Sequence, residues 1–336
     1  MSFWQGKRTL VTGGCGFIGP FLVRSLLEAG AEVRIADNLE RGSVESLGAA
    51  ADKVEILQVD LREPGVARRA CEGMEVVFHL ASKVGGIGYY LKYPWDVLHS
   101  NLTMDGNVLS AVIDARVPYY FYASSAHIYP IELQLEIKAP LIREDQAYPA
   151  NPSLSYGWAK LIGEQGIAAA LAEGHQFRAA IARIVGAYGP GQDYQLETGS
   201  VIPVFCHRAA RYPELKPFRV LGTGKETRTY CYVDDVVRAI MVSVGKLEKS
   251  PQVGPFNLGT CDLVSIAEIA ETIIAISGKD IKIEYDASHP TKIWGQAPDI
   301  TLAGKLLDGW KPSVPLHEGL RICYDDVRSR LARSAT

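Results

Sequence analysis

No Cys-x-x-Cys pair occurs in this chain. Its six cysteines, at 15, 71, 206, 231, 261 and 323, lie far apart. That argues against a disulfide framework or a structural zinc site and leads to the expectation of a reducing cytoplasm and no metal. No apolar run approaches the roughly 18 residues of a membrane-spanning helix. The opening Met1-Ser2-Phe3-Trp4-Gln5-Gly6-Lys7-Arg8 lacks the apolar core of a leader peptide. An excess of basic charge is also missing: 35 Lys and Arg against 38 Asp and Glu leave a net charge of −3. Neither nucleic acid nor an anionic membrane is therefore an expected partner. Repeats and low-complexity tracts are absent. What is present is ordinary globular composition, 47% hydrophobic and 22% charged over 336 residues, enough for a large core in one or two domains.

The first half alternates short β-rich runs with helical patterns. Strands are expected at Arg8–Thr12, Glu32–Ala36, Val54–Gln58, Val76–Leu80, Tyr119–Ala123 and Arg178–Ile184. Helices are expected at Gly19–Ala29, Gly65–Cys71, Trp95–Ala115 and Tyr156–Glu173. This rhythm predicts an α/β fold with a doubly wound parallel Rossmann sheet. The first domain is expected to span 1–185, with 232–260 returning to it, and the second to comprise 186–231 and 261–330.

After the first strand come Gly13, Gly16 and Gly19, with Phe17 and Ile18 between them. Glycine at this spacing permits a tight strand-to-helix turn and close approach of a pyrophosphate to backbone. The helix N-terminus adds free N–H groups for the phosphates. Asp37, at the end of the second strand and followed by Asn38, is placed to accept ribose hydroxyls, which favours NAD over NADP; Arg41 nearby is a group that a 2′-phosphate would attract. Asp60-Leu61 and Leu80-Ala81 occupy two further strand ends of a cofactor groove. His79, inside an apolar strand, reads as a structural histidine. Gly85, Gly86 and Gly88 predict a flexible loop at a strand end, with substrate contact at Gly85 and Gly86.

The chemical centre is split. One strand ends in Ser124-Ser125-Ala126-His127, and about thirty residues later come Tyr156 and Lys160, four apart on one helical face. A neighbouring ammonium and a bound nicotinamide cation favour the phenolate, so Tyr156 can act as a base near neutral pH. Ser125 is placed to hydrogen-bond the same substrate oxygen. Leu221–Arg228 reads as a polar, Gly-containing hairpin in which Arg228 offers a guanidinium to a diphosphate. Asp234-Asp235 opens a helix, either as caps or as functional groups.

These features together resemble the extended short-chain dehydrogenase/reductases of the nucleotide-sugar epimerase/dehydratase family. The carriers are Gly13-x-x-Gly16-x-x-Gly19, Asp37, Asp60-Leu61, Ser124-Ser125, Tyr156-x-x-x-Lys160, Tyr188-Gly189-Pro190-Gly191 and Arg228-x-Tyr230-x-Tyr232-Val233-Asp234-Asp235. The resemblance implies a tightly held NAD or NADP, a bilobal fold with a smaller mixed α/β C-terminal lobe for substrate, and a nucleoside-diphosphate sugar as substrate. The GDP-mannose 3,5-epimerase and GDP-fucose synthase subgroups are most similar, at Lys83–Gly88, at Tyr122–Pro130 and at Leu316–Ile322. Both carry a catalytic cysteine where this chain has His127, and a basic residue just before the position of Pro203, where this chain has Val201-Ile202. The segment Gln296–Asp299 often lies over the nucleotide in such relatives.

The expected activity is therefore NAD-dependent epimerisation of a nucleotide sugar, GDP-linked by resemblance, through transient C4 oxidation, with His127 as acid/base at C3 or C5. A C4-epimerase, a net dehydrogenase, reductase or dehydratase, and a non-catalytic nucleotide-sugar-binding protein remain open alternatives. The helices Trp95–Ala115 and Tyr156–Glu173 carry apolar residues on more than one face, so a homodimer is expected.

Overall fold

A computed structural model describes residues 3–288 and 293–334. Positions 1–2, in the segment examined for a leader, and 289–292, in the expected second lobe, lie outside the described residues, as do 335–336. The first half runs β1 (Arg8–Thr12), α1 (Gly19–Glu28), β2 (Glu32–Asp37), β3 (Glu55–Gln58), α2 (Val66–Cys71), β4 (Val76–His79), α3 (Ile87–Lys92), α4 (Pro94–Asp114), β5 (Tyr119–Ser125), α5 (Ser155–Ala172) and β6 (Arg178–Ile184). The second half runs β7 (Ala187–Tyr188), α6 (Val201–Ala210), β8 (Phe218–Leu221), β9 (Thr227–Arg228), β10 (Cys231–Tyr232), α7 (Val233–Gly245), β11 (Gln252–Leu258), β12 (Val264–Ser265), α8 (Ile266–Ser277), β13 (Ile283–Asp286), α9 (Thr301–Leu306) and α10 (Leu316–Ser334).

Seven strands form one parallel sheet in the order β11-β6-β5-β4-β1-β2-β3. The chain thus builds outward in one direction through β3, returns to β4, and builds outward in the other. The reversal between β1 and β4 opens a crevice at the carboxyl ends of the strands, the usual ligand site of such sheets. The central strands are apolar throughout because helices cover both faces. Val11, Phe78, Phe121 and Ala180 belong to the core under α1 and α7. Leu10, Val77, Tyr120 and Ala179 belong to the opposite core under α2, α4 and α5.

The returning strand β11 closes the edge beside β6. The expected hairpin at Leu221–Arg228 is not formed. Instead β8 pairs in parallel with β13, and β9 pairs antiparallel with β12. The intervening loop is organised by Glu226, whose buried carboxylate accepts the Thr223 N–H at 3.1 Å and the Thr223 hydroxyl at 3.2 Å. A loop with its own internal acceptor has no need of a cross-strand ladder. Asp235 likewise reaches away from its helix, accepting the N–H groups of Ser313 (2.8 Å) and Val314 (3.0 Å), and so fastens the segment before α10.

Helix α5 is docked onto the sheet by a buried ion pair. Arg183 on β6 donates Nη2–H to Glu164 Oε2 at 2.8 Å and Nε–H to Oε1 at 3.0 Å, with both side chains 4% exposed. Ser124 on β5 donates to the same carboxylate. Removing one partner of a buried pair leaves an uncompensated charge. Glu164→Ala is therefore expected to lower unfolding free energy by about 3–5 kcal/mol in denaturant titration; a loss under about 1 kcal/mol would contradict the pair's docking role.

Candidate active site

The candidate dinucleotide cradle is a set of close main-chain approaches at the carboxyl ends of β1, β2 and β4. Gly13 has φ +69°, and a Cβ there would stand 2.8 Å from the Ala81 main chain. Leu80 N–H donates to Thr12 O, and Ala81 N–H to Thr12 Oγ1, both at 3.2 Å. Gly16, Phe17 and Ile18 form the rest of the turn, and α1 begins at Gly19 with Pro20 in its first turn. Proline suits that position because the N–H it lacks would have no helical acceptor.

Asp37 Oδ2 accepts the Cys15 N–H and Oδ1 the Leu39 N–H, each at 2.9 Å. The carboxylate ties the end of β2 to the glycine turn and retains lone pairs for ribose hydroxyls. Asn38 accepts the Glu40 N–H at 3.0 Å. Asp60 is gripped by the Arg62 guanidinium, which holds its carboxyl down to about 2; Leu61 beside it is buried. Arg41 is engaged elsewhere: it donates to Val84 O at 2.5 Å and to Asp193 Oδ2 at 2.9 Å, tying the segment after β4 to the segment after β7. Gly13 serves the close packing of the β1 and β4 ends, while the buried Lys160 Nζ without a hydrogen-bond partner is the feature that fits a bound dinucleotide.

The candidate reacting groups converge where β5 ends. Ser125 Oγ accepts the His127 N–H at 3.2 Å and so starts a short 3₁₀ turn, Ala126–Ile128. The first turn of α5 rests against this turn: a Cβ at Gly157 would lie 2.0 Å from His127 O. That approach puts the Tyr156 and His127 rings edge to face, with centroids 5.8 Å apart at 73°. Tyr90 completes the group, stacked on Tyr156 at 5.2 Å and 17° and edge-on to His127 at 5.9 Å. His127 as a residue is partly exposed, but its Nδ1 is sealed from solvent and has no hydrogen-bond partner. Burial first, then the nearby Arg228 charge, push its imidazole down to about 4.

Lys160 lies one turn after Tyr156 and is 1% exposed, with Nζ 3.6 Å from Asp105 Oδ1 and 4.8 Å over the Tyr122 ring. Arg228 donates to the main-chain oxygens of Thr227 (2.7 Å) and Ile293 (3.0 Å), and burial draws its guanidinium below the usual range. Gly85 and Gly86 do not form a loose loop. Gly86 N–H bonds Thr198 O at 3.1 Å, and α3 starts at the next residue, delivering Tyr90 to the site. Val201 opens α6 and packs against the main core.

A profile of the NAD dependent epimerase/dehydratase family matches residues 9–259. The chain belongs to the NAD-dependent epimerase/dehydratase family. Within it, GDP-mannose 3,5-epimerase 1 of Oryza sativa subsp. japonica is 29% identical, covering 99% of this chain and 85% of that protein. UDP-glucuronic acid decarboxylase 6 of Arabidopsis thaliana is also 29% identical, covering 98% and 91%. The UDP-glucose 4-epimerase of Thermotoga maritima, solved with UDP-glucose, superposes with a TM-score of 0.84 at 28% identity over 96% of this chain and 99% of that one. The Thermus thermophilus UDP-glucose 4-epimerase, solved with NAD, gives 0.81 at 25% identity over the same shares.

Two residues that the structure packs against these candidate groups were not singled out in the sequence. Tyr90 follows the glycines within one helical turn, yet an aromatic there is indistinguishable in sequence from core. Asp105 is a single acid among the buried positions Val97, Asn101, Met104, Val108 and Val112 of α4, and that misplaced charge was the available signal. His79 is structural, as expected, bonded to Thr12 and Asp105. Among the described residues no cluster of three or more His, Cys, Asp or Glu side chains could hold a metal ion.

The free imidazole of His127 is expected to stay neutral at physiological pH. Its folded value is depressed, so protons favour the unfolded chain, and the stability it contributes is lost as pH falls from about 6.5 to about 4. In NMR titration of the ligand-free protein, with assignment by His127→Asn, the His127 ring resonances should not move between about pH 5.5 and 8; a midpoint near 6.5 would contradict the buried environment.

Proposed function

We propose that this protein is an NAD-dependent epimerase of a nucleotide sugar, GDP-linked, that works through transient oxidation at the sugar C4 with His127 moving a proton at C3 or C5. The observation that carries the reading is the edge contact of His127 on Tyr156, with an unpartnered imidazole nitrogen sealed beside it. NAD held in the cradle by the Gly13–Gly19 turn, Asp37, Asn38, Asp60, Leu61, Leu80, Ala81 and Lys160 supplies the hydride acceptor and donor. Tyr156 takes the C4 hydroxyl proton and later returns it. Ser125 orients that hydroxyl, and the Lys160 ammonium stabilises the phenolate. The resulting ketone acidifies the protons at C3 and C5, one of which a neutral imidazole can remove; the configuration inverts when water delivers a proton to the opposite face of the sugar and the imidazolium gives its own proton to solvent.

Arg228 recognises the diphosphate. Its charge depresses His127 in the free protein, so a phosphate anion on Arg228 offsets that effect and makes His127 a stronger base once substrate is bound. Gly85, Gly86 and Val201 border the sugar. The GDP preference is supported by the GDP-mannose 3,5-epimerase relatives. The six cysteines are free thiols, which fits the cytoplasm. No described helix is long and apolar enough to cross a membrane. A second copy of the chain pairs along α4 and α5, where Trp158 (39% exposed) and Ile162 (48%) face outward.

Incubation with GDP-mannose and with UDP-glucose in deuterated water, followed by NMR of the sugar, tests the chemistry. GDP-mannose should gain deuterium at C3 or C5. His127→Asn should slow that exchange by about 10²–10⁴-fold, the usual worth of a positioned acid/base. Epimerisation of either sugar without deuterium uptake would replace this reading with a C4-epimerase. Ile162→Glu should convert a dimer to monomers in analytical ultracentrifugation; a wild-type monomer would refute the pairing.

A further inference from the structure

Strand register sets Thr12, His79 and Tyr122 in one lateral row across β1, β4 and β5. Asp105 of α4 lies over that row. Its Oδ1 is 2.9 Å from His79 Nε2, and its Oδ2 accepts the Tyr122 hydroxyl at 2.5 Å. His79 Nδ1 is 2.8 Å from Thr12 Oγ1. Burial works against the Asp105 charge, but the Lys160 ammonium, His79 and Tyr122 outweigh it and hold its carboxyl below the usual range. Burial also keeps His79 neutral. An ionised carboxylate can only accept, so the His79 proton sits on Nε2, Nδ1 accepts from the Thr12 hydroxyl, and Thr12 Oγ1 in turn accepts the Ala81 N–H. Every donor in the row is directed toward one carboxylate, and the row ends at the glycine turn.

That carboxylate has one cation opposite it, Lys160 Nζ at 3.6 Å. The other titratable groups facing the cluster are His79 from β4, Tyr120 and Tyr122 from β5, Tyr156 from α5 and, behind Tyr120, Cys71 of α2. None of these side chains is a carboxylate, so among the described residues Asp105 is the acid paired with the ammonium. An ammonium 1% exposed without a counter-ion sheds its proton or loses its place.

We propose that Asp105 is a positioning residue for the dinucleotide and the chemistry: it is the fixed counter-ion that keeps Lys160 charged and directed, and the Thr12–His79 and Tyr122 hydrogen bonds hold Asp105 rigid. The inference rests on Lys160 acting on bound NAD, as in the function proposed above, and does not depend on which sugar is turned over.

The test compares wild type, Asp105→Asn, Lys160→Met and the double variant by NAD titration between about pH 6 and 9 and by denaturant unfolding. Each single variant should bind NAD about tenfold more weakly near pH 8.5, the worth of one charged hydrogen bond, with no further loss in the double. The Asp105→Asn deficit should shrink to under about threefold near pH 6, where protons restore the ammonium, while wild-type affinity stays level. In unfolding, the double variant should retain more stability than the two single losses predict, because neither charge is left alone. A deficit equal at every pH, or losses that multiply in both measurements, would overturn the inference by reducing Asp105 to a packing role. Failure of wild type to process GDP-mannose or UDP-glucose would count against the proposed function alone, since neither measurement here uses a sugar.

Discussion

Helix α5 carries two buried charges on its inner face, Lys160 and Glu164, one turn apart and each 4% exposed or less. Each is answered from a different element: Lys160 by Asp105 on α4, Glu164 by Arg183 on β6. Buried charges of this kind contribute little net stability against an apolar packing of equal volume, yet they penalise any misregistered docking heavily. They fix the rotation and height of α5 on the sheet. Tyr156, one turn before Lys160, is placed by the same constraint, and the short Gly157 contact then sets the Ser125–His127 turn against it.

The site lies at the strand-order reversal, so its parts arrive from opposite directions. The glycine turn, Asp37 and Ala81 come from β1, β2 and β4. Ser125, His127 and Tyr156 come from β5 and α5. Arg41, from beyond β2, ties the segment after β4 to the segment after β7 through Val84 and Asp193. Thr12, His79, Asp105 and Lys160 join the two sides beneath the surface. Hydrogen bonds from Thr12 through His79 to Asp105, and the Asp105–Lys160 ion pair, thereby tie the glycine turn to the first turns of α5.

The family membership rests on the profile match and on full-length relatives whose names cover epimerases and a decarboxylase. The resemblance read from the sequence departs at His127 and at Val201-Ile202. An imidazole at position 127 differs from a thiol in being neutral and basic in the same state, and its sealed Nδ1 and the ring of Tyr90 shape how it faces Tyr156.

Strand and helix positions were legible because their signals are local. The runs at Arg8–Thr12 and Arg178–Ile184 match the observed strands end to end, the other expected elements of the first half differ by one or two residues at their ends, and α3 was not expected. Gly13-x-x-Gly16-x-x-Gly19 and Tyr156-x-x-x-Lys160 were legible because turn geometry and helical spacing are encoded over a few residues. The Leu221–Arg228 stretch was misread because its strands pair with Val264–Ser265 and Ile283–Asp286, segments that lie about forty to sixty-five residues later in the chain. The Gly85–Gly88 run read as loose because its partner, Thr198, is more than a hundred residues away. Asp105 and Tyr90 acquire meaning only when α4 and α3 are packed onto β4, β5 and α5, since a counter-ion or a stacked ring is defined by what it faces. Local chemistry could therefore name the dinucleotide turn and the tyrosine–lysine pair, whereas the charge balance around Lys160 and the ring contacts around His127 arise from contacts distant in sequence, which no short stretch encodes.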